Sequence, residues 1–239
     1  MNWEKMYDGI NDNKSSVIQN TESPISLPGI IPVKEEERNG NEPVLYSDTE
    51  ELNGGKIYQL RNRYIMKEVK EGLMLIDQER AHERILYEKF QESLLTGSGF
   101  SQQVLFPNII EFNKIDFELL KELKEDLLYI GIDISEESEN KFSVNGIPPE
   151  LKDRNIKGIL EEFLEKYKNE DGDVMTDKRD KLAKSMARSM SIKSPRTLTE
   201  NEMNDIIEEL FTCKIINKSP YGKTIFCLIT NNELELKFN

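Results

Sequence analysis

The densest run of reactive side chains lies in "GLMLIDQERAHERILYEKF", Gly72 to Phe90, which holds the chain's only histidine, His82, and four acids, Asp77, Glu79, Glu83 and Glu88. Carboxylates beside an imidazole can serve as general acids and bases or hold a divalent cation. Glu79 and Glu83 stand four apart, on one face of a helix. They could hold a weak Mg²⁺ or Mn²⁺; equally, acids at a helix N-terminus favour the helix dipole, which is the preferred reading. His82, beside Ala81 near the helix start, reads as a packing or cap-region residue rather than a catalyst. Other signatures are missing: no phosphate-cradling glycine loop, no nucleophile elbow, no second histidine. A zinc site needs about four N or S ligands, so His82, Cys213, Cys227 and a carboxylate would have to converge. Both cysteines lie in apolar segments and read instead as buried, inert thiols.

The segments that must position these groups follow from hydrophobic spacing. "KIYQLRNRYIMKEV" is aromatic and β-branched, "GLMLIDQ" is a short apolar run, and "KEG" between them is a hairpin turn. Apolar strands are therefore expected over 57–66, 72–77 and 224–230. "ERAHERILYEKFQESLL" spaces Ala81, Ile85, Leu86, Phe90, Leu94 and Leu95 as a helix. "QQVLFP" is a short strand stopped by proline. "NKIDFELLKELKEDLLYIG" is an amphipathic helix with Ile115, Leu119, Leu120, Leu123 and Leu127 inward, and "GIDISEESENKFSVNGIP" a hairpin. "NIKGILEEFLEKYKN" is a further helix, broken by "EDGDVMTD"; the basic "KRDKLAKSMARSMSI" and "LTENEMNDIIEELFTC" follow. In the last, Thr199 and Glu202 form a capping box. The whole is α+β without internal repeats.

Composition narrows the function classes. With 239 residues there is room for one large domain or two small ones plus tails. A net charge of −13 opposes sequence-independent binding to nucleic acid or anionic membrane; the stretch 178–196 is the one basic patch. Residues 1–54, rich in Pro, Asn and Ser, read as a disordered acidic linker or tail. Two cysteines fit a reducing cytosol, "MNWEKMYDG" lacks the layout of a signal peptide, and no apolar run approaches the roughly 20 residues of a membrane span. A cytoplasmic protein without membrane partners is expected.

"LIDQERAHERILYE" resembles the signature of the MutL DNA mismatch-repair family's C-terminal domain, which reads Asp-Gln-His-Ala, two free positions, Glu, four free positions, Glu. Asp77, Gln78, Glu83 and Glu88 match; the signature histidine is Glu79 and its alanine Arg80. The resemblance runs on in order through "QQVLFP", "ARSMSIKSPRTLTENEM" and "SPYGKTIFCLI", covering about 56–239. In the family's endonuclease branch, an Ala-Cys block and a Cys-Pro-His-Gly block complete a metal site. Here these fall on Ala187-Arg188 and Ser219-Pro220-Tyr221-Gly222, so Arg188, Ser219 and Tyr221 stand where ligands would be needed. Serine, tyrosine and arginine do not replace thiolate and imidazole as zinc ligands. Arg188 would repel a divalent cation and pair with Glu79, Glu83 or Asp77.

The resemblance implies two subdomains, 55–106 with 174–239 carrying the dimer interface and 107–173 inserted as the smaller, regulatory one. It implies a homodimerisation module that holds ATPase arms together, with no catalytic residues, metal or cofactor of its own. The family's ATPase region is missing from the chain, so no ATPase activity is expected. Implied partners are a second copy, the sliding clamp, the mismatch-recognition protein MutS, and DNA through the full-length protein. The clamp would take Gln102, Val104, Leu105 and Phe106 as an edge peptide; a core strand with these apolar residues inward is the competing reading. The competing function is an Mn- or Mg-dependent nicking endonuclease using Asp77, Glu79, Glu83 and Glu88.

Overall fold

The computed structural model describes residues 55–152, 154–170 and 177–239. The expected disorder over 1–54 and the helix break over 171–176 lie outside the described residues. Two antiparallel sheets organise the rest. The first takes β1 (Ile57–Leu60), β2 (Tyr64–Val69), β3 (Gly72–Asp77) and β7 (Phe226–Thr230) in the order β1-β2-β3-β7; the second takes β4 (Gln102–Glu111), β5 (Asp133–Ser138) and β6 (Lys141–Ile147) in the order β4-β6-β5. The helices are α1 (Gln78–Thr96), α2 (Lys114–Tyr129), α3 (Ile156–Asn169), α4 (Lys178–Met190), α5 (Glu200–Thr212) and α6 (Asn231–Glu235). Among the described residues no helix is long and apolar enough to cross a membrane.

The strand expected over 57–66 is in fact two. Arg61 and Asn62 take positive φ of 53° and 50°, and Arg63 N–H donates to the Leu60 carbonyl, so the chain reverses and Leu60 pairs with Tyr64. Positive φ without glycine is uncommon, and asparagine is among the residues that tolerate it. At Gly72, φ of 150° and a neighbour in the way both require glycine: a Cβ there would sit 2.1 Å from the Ile229 carbonyl oxygen. That close approach lets β7 pair with β3. Gly97, at φ 65°, ends α1 in the left-handed conformation usual for that position.

"QQVLFP" is not stopped by its proline. β4 continues to Glu111 by looping out: Gln103 pairs with Gly146 and Asn108 with Val144, with the register slipping between. The slip takes Pro107 out of the ladder, the usual way a sheet accommodates proline. The expected subdomain boundary after 106 falls inside this strand.

Two apolar cores meet on α1. Its first turns, through Ala81 and Ile85, pack with Ile65, Met74 and Ile76 of the first sheet and Met203, Ile207 and Leu210 of α5. Its later turns, through Leu86, Phe90 and Leu94, join α2, the second sheet, α3 and α4. Leu95 and Ile115, expected inward, are 82% and 74% exposed; Leu95 follows the last buried residue of α1, Leu94, and Ile115 lies two residues before Phe117, where the buried stripe of α2 begins. The capping box at Thr199 and Glu202 is present in full.

The first sheet buries one face only. Ile65, Lys67, Val69, Met74 and Ile76 point inward, with the Lys67 ammonium donating to Asn204 of α5. The opposite face carries a cross-strand row, Tyr58–Met66–Leu75–Cys227, set by the register of all four strands. Beside it lie Leu60, Tyr64, Leu73 and Ile229. Tyr58 is 58% and Leu60 43% exposed, and Cys227 is exposed, contrary to the buried thiol expected from its apolar strand. Alternation along β7 turns Cys227 outward and Phe226 and Leu228 inward. Cys213 is half-buried, its thiol pushed up to about 12, chiefly by burial.

A candidate charged cleft at the start of α1

Strand pairing brings four separate segments to one point. Tyr64 pairs with Asp77, and Ile76 with Phe226, so the β1–β2 turn and the loop before β7 both emerge where β3 becomes α1. Asp77 N–H donates to the Ile225 carbonyl at 2.9 Å, fixing that junction. α4 lies against α1 and adds Arg188. The result is a cleft of about 220 Å³ with Asp77, Glu79 and Glu83 on one side and Arg63, Arg80, Arg188 and Lys223 around them.

Each acid in the cleft is already engaged. Asp77 caps α1 by accepting from Arg80 N–H at 3.2 Å, and its other oxygen lies 3.3 Å from Arg63 and 3.5 Å from the Arg80 guanidinium. Glu79 faces Lys193 at 3.6 Å. Glu83 is buried, which raises its pKa above the ordinary carboxylate value; the nearby charges of Arg188 and Lys193 oppose that rise. Arg188 lies over the Tyr221 ring, 4.9 Å from its centroid. Burial and Glu170 push the Tyr221 hydroxyl up to about 12, so it is neutral at pH 7.

The remaining signature positions are structural. Gln78 is fully buried, donating to the carbonyls of Asn62 and Arg196 and accepting from Gln59, which ties the β1–β2 turn to the segment before α5. Glu88 is not in the cleft: it accepts from the backbone N–H groups of Lys214 and Ile215 at 2.7 and 3.2 Å, and pairs with Arg84. Ser219 is buried, its hydroxyl accepting from Tyr221 and Lys223 N–H and so shaping the loop. His82 accepts from Ile192 N–H at 3.0 Å through Nδ1 and is held neutral, its pKa lowered to about 4 by burial and by Arg154.

The sequence signature therefore brings Asp77, Glu79, Glu83, Arg188 and Tyr221 together and leaves Glu88 and His82 apart. Arg63 and Lys223 were invisible in the sequence, because only the β1–β2 turn and the β3–β7 pairing place them here; Arg80 stands in the signature itself, at its alanine position. As donors for a divalent cation the residues fit poorly. Ser219 is committed to its own loop, Tyr221 is a neutral phenol, and Arg188 puts a fixed positive charge beside Glu83. Among the described residues no three His, Cys, Asp or Glu side chains are grouped so as to hold a metal ion.

Gln102, Val104, Leu105 and Phe106 lie elsewhere, on β4: Gln102 pairs with Ile147, and the other three stand on the bulge that follows. Leu105 is 93% and Phe106 85% exposed, so these residues are not core; only Val104 is half-buried.

Comparison with known proteins agrees with the arrangement. The family model of the MutL C terminal dimerisation domain matches residues 57–198. The DNA mismatch repair protein MutL of Christiangramia forsetii is 33% identical over 236 residues, covering 99% of this chain and 36% of that protein. Its counterpart from Parabacteroides distasonis is 31% identical, covering 99% and 37%, and that from Chloroherpeton thalassium 33% identical, covering 95% and 37%. The chain thus spans just over a third of the length of these relatives. With two antiparallel sheets and packed α-helices among the described residues and a family match over more than half its length, this chain belongs to the MutL C terminal dimerisation domain family and has that domain's α+β fold.

Proposed function

We propose that this chain is the homodimerisation module of a MutL-type DNA mismatch-repair protein, joining two copies so that ATPase arms carried elsewhere are held together. One observation supports the reading: among the described residues the first sheet has a largely apolar outer face, with Tyr58 and Leu60 exposed and Met66, Leu73, Leu75 and Ile229 half-buried. An exposed apolar sheet face of this kind is a site for a partner. A second copy related by a two-fold axis would bury it against its own like. Tethering then raises the effective concentration of the arms without any new contact between them. The smaller sheet with α2 and α3 serves as the inserted, regulatory subdomain. Two free cysteines suit a cytoplasmic setting. Light scattering at about 30 µM, a concentration at which an obligate interface is closed, should return a dimer.

The cleft then carries no catalysis, metal or cofactor, and Asp77, Glu79 and Glu83 are a structural remnant. The competing reading, a weak Mn- or Mg-dependent nicking endonuclease on Asp77, Glu79, Glu83 and Glu88, is disfavoured because Glu88 points away and cations face the other three. Supercoiled plasmid incubated with Mn²⁺ should stay intact; nicking abolished by Glu83→Ala would restore the enzyme.

The β4 bulge is proposed as a docking peptide for the sliding clamp, with Leu105 and Phe106 as its anchors and MutS and DNA engaged through the full-length protein. Replacing both anchors by alanine and titrating with the clamp tests it: unchanged affinity removes the idea.

A further inference from the structure

Two apolar features stand open to solvent, and one strand joins them. The outer face of the first sheet leaves Tyr58 and Leu60 exposed, and β7 adds Cys227 and Ile229 to that face. β7 then runs directly into the segment 231–239, where Leu236 is 75% and Phe238 90% exposed. The start of this segment is locked. Thr230 and Glu233 form a full capping box, and Asn231 is tied to the β2–β3 turn. Its backbone N–H donates to the Glu71 carbonyl at 2.9 Å and its side-chain amide to the Lys70 carbonyl at 3.1 Å. Past α6 the turns continue, with Lys237 N–H donating to the Leu234 carbonyl at 3.0 Å and Phe238 N–H to the Glu235 carbonyl at 3.1 Å. Half-buried Leu234 and exposed Phe238 stand four apart on one side, so an apolar stripe begins against the chain and runs on past it. All of this lies beyond the residues 57–198 that the family model matches.

We propose, building on the homodimer proposed above, that 231–239 is an arm exchanged between two copies, with Leu236 and Phe238 laid on the outer sheet face of the partner subunit. Within one chain the locked helix start leaves both the arm and the face uncovered, and a second copy offers each the layer it lacks. Under a two-fold axis a contact of arm on face made once is made twice, which doubles its effect on association. The lengths agree. Four strands are about 14 Å wide and nine helical residues about 13 Å long, so one arm reaches across most of a sheet. Charge agrees as well: Lys237 stands between the two apolar residues, and the face carries exposed Glu68 in one row with Leu73 and Ile229. A rim pair of that kind sets the register of the arm more than its affinity.

The test compares the self-association of the 239-residue chain with that of Leu236→Ser combined with Phe238→Ser, by sedimentation equilibrium. The double variant should associate about tenfold or more weakly, the loss usual when buried interface anchors are removed. Leu95→Ser, at an 82% exposed apolar position on the end of α1, should stay within about twofold. These side chains are in water in the single chain, so circular dichroism should show each variant folded. Placement is read by putting the photo-cross-linker p-benzoylphenylalanine at position 238 and exchanging subunits between isotope-labelled and unlabelled chains. Cross-links should join the 231–239 peptide of one isotope to peptides from 57–77 or 226–230 of the other. A double variant that dimerises with unchanged affinity, or cross-links that never mix isotopes, would overturn the exchanged arm and leave the homodimer standing. A native chain that is monomeric throughout would remove the homodimer and the arm with it.

Discussion

The charged cleft and the outer face of the first sheet are built on the same strands, yet they close their accounts differently. In the cleft the chain answers its own charges: Asp77 has Arg63 and Arg80, Glu79 has Lys193, and Arg188 faces Glu83. On the sheet face Tyr58 and Leu60 are exposed and Met66 and Leu75 half-buried, with no second layer over them among the described residues. Electrostatic satisfaction can be reached locally with a few side chains, whereas an apolar sheet face needs a second layer. The first region is stable without a partner and the second asks for one.

The largest expected effect falls on the sheet face. Leu75→Arg, at the centre of the cross-strand row, should leave the folded monomer intact but place a charge in a dimer interface. The dissociation constant should rise more than about 100-fold, or roughly 3 kcal/mol, measured by sedimentation equilibrium. An unchanged constant would move the interface elsewhere.

Next is the acid response of His82. Its folded pKa, about 4, lies below the unfolded 6.5, so the folded state prefers it neutral. Its stabilisation is fully present above pH 6.5 and lost as pH falls towards 4, by at most roughly 3 kcal/mol. Glu83, with its pKa raised, acts with the opposite sign: its contribution favours folding at low pH and is lost as pH rises above the ordinary carboxylate value. Comparing urea melts of the native chain with His82→Asn across that window isolates the histidine, since asparagine titrates nothing; parallel curves would contradict the assignment.

In the cleft, Arg188→Ala should cost up to about 1 kcal/mol at pH 7, because the exposed guanidinium is the leading charge that favours the ionised form of the buried Glu83. Adding Glu83→Gln should recover most of that loss, a coupling read from a double-mutant cycle. Independent, additive losses would mean that the two do not interact. Smallest of all, Leu105→Ala with Phe106→Ala should change thermal stability by less than about 0.5 kcal/mol, because both side chains are already in water; a larger loss in the melt would show that the bulge is packed.

How much of this was readable beforehand depends on the range of the signal. Local signals held: the Thr199–Glu202 capping box, the helical spacing of α2 apart from Ile115, the amphipathic α3, and the Asp77–Glu88 signature as a family marker all depend on neighbours within a few turns. What failed was set by distant partners. The Arg61–Asn62 reversal carries no glycine to announce it. Pro107 looked like a strand end until pairing with β6 showed a bulge around it. Cys227 faces outward because of the strand's phase within the sheet, which an apolar run does not reveal. The cleft was half legible: its acids and Arg188 stand in recognisable motifs, while Arg63 and Lys223 reach it only through tertiary pairing.

Sedimentation velocity of the 239-residue chain from about 1 to 50 µM tests the central claim most directly. The account predicts a species of twice the 27.8 kDa chain mass across the upper part of that range, reduced to the single-chain mass by Leu75→Arg. A native chain that stays at 27.8 kDa throughout would contradict it.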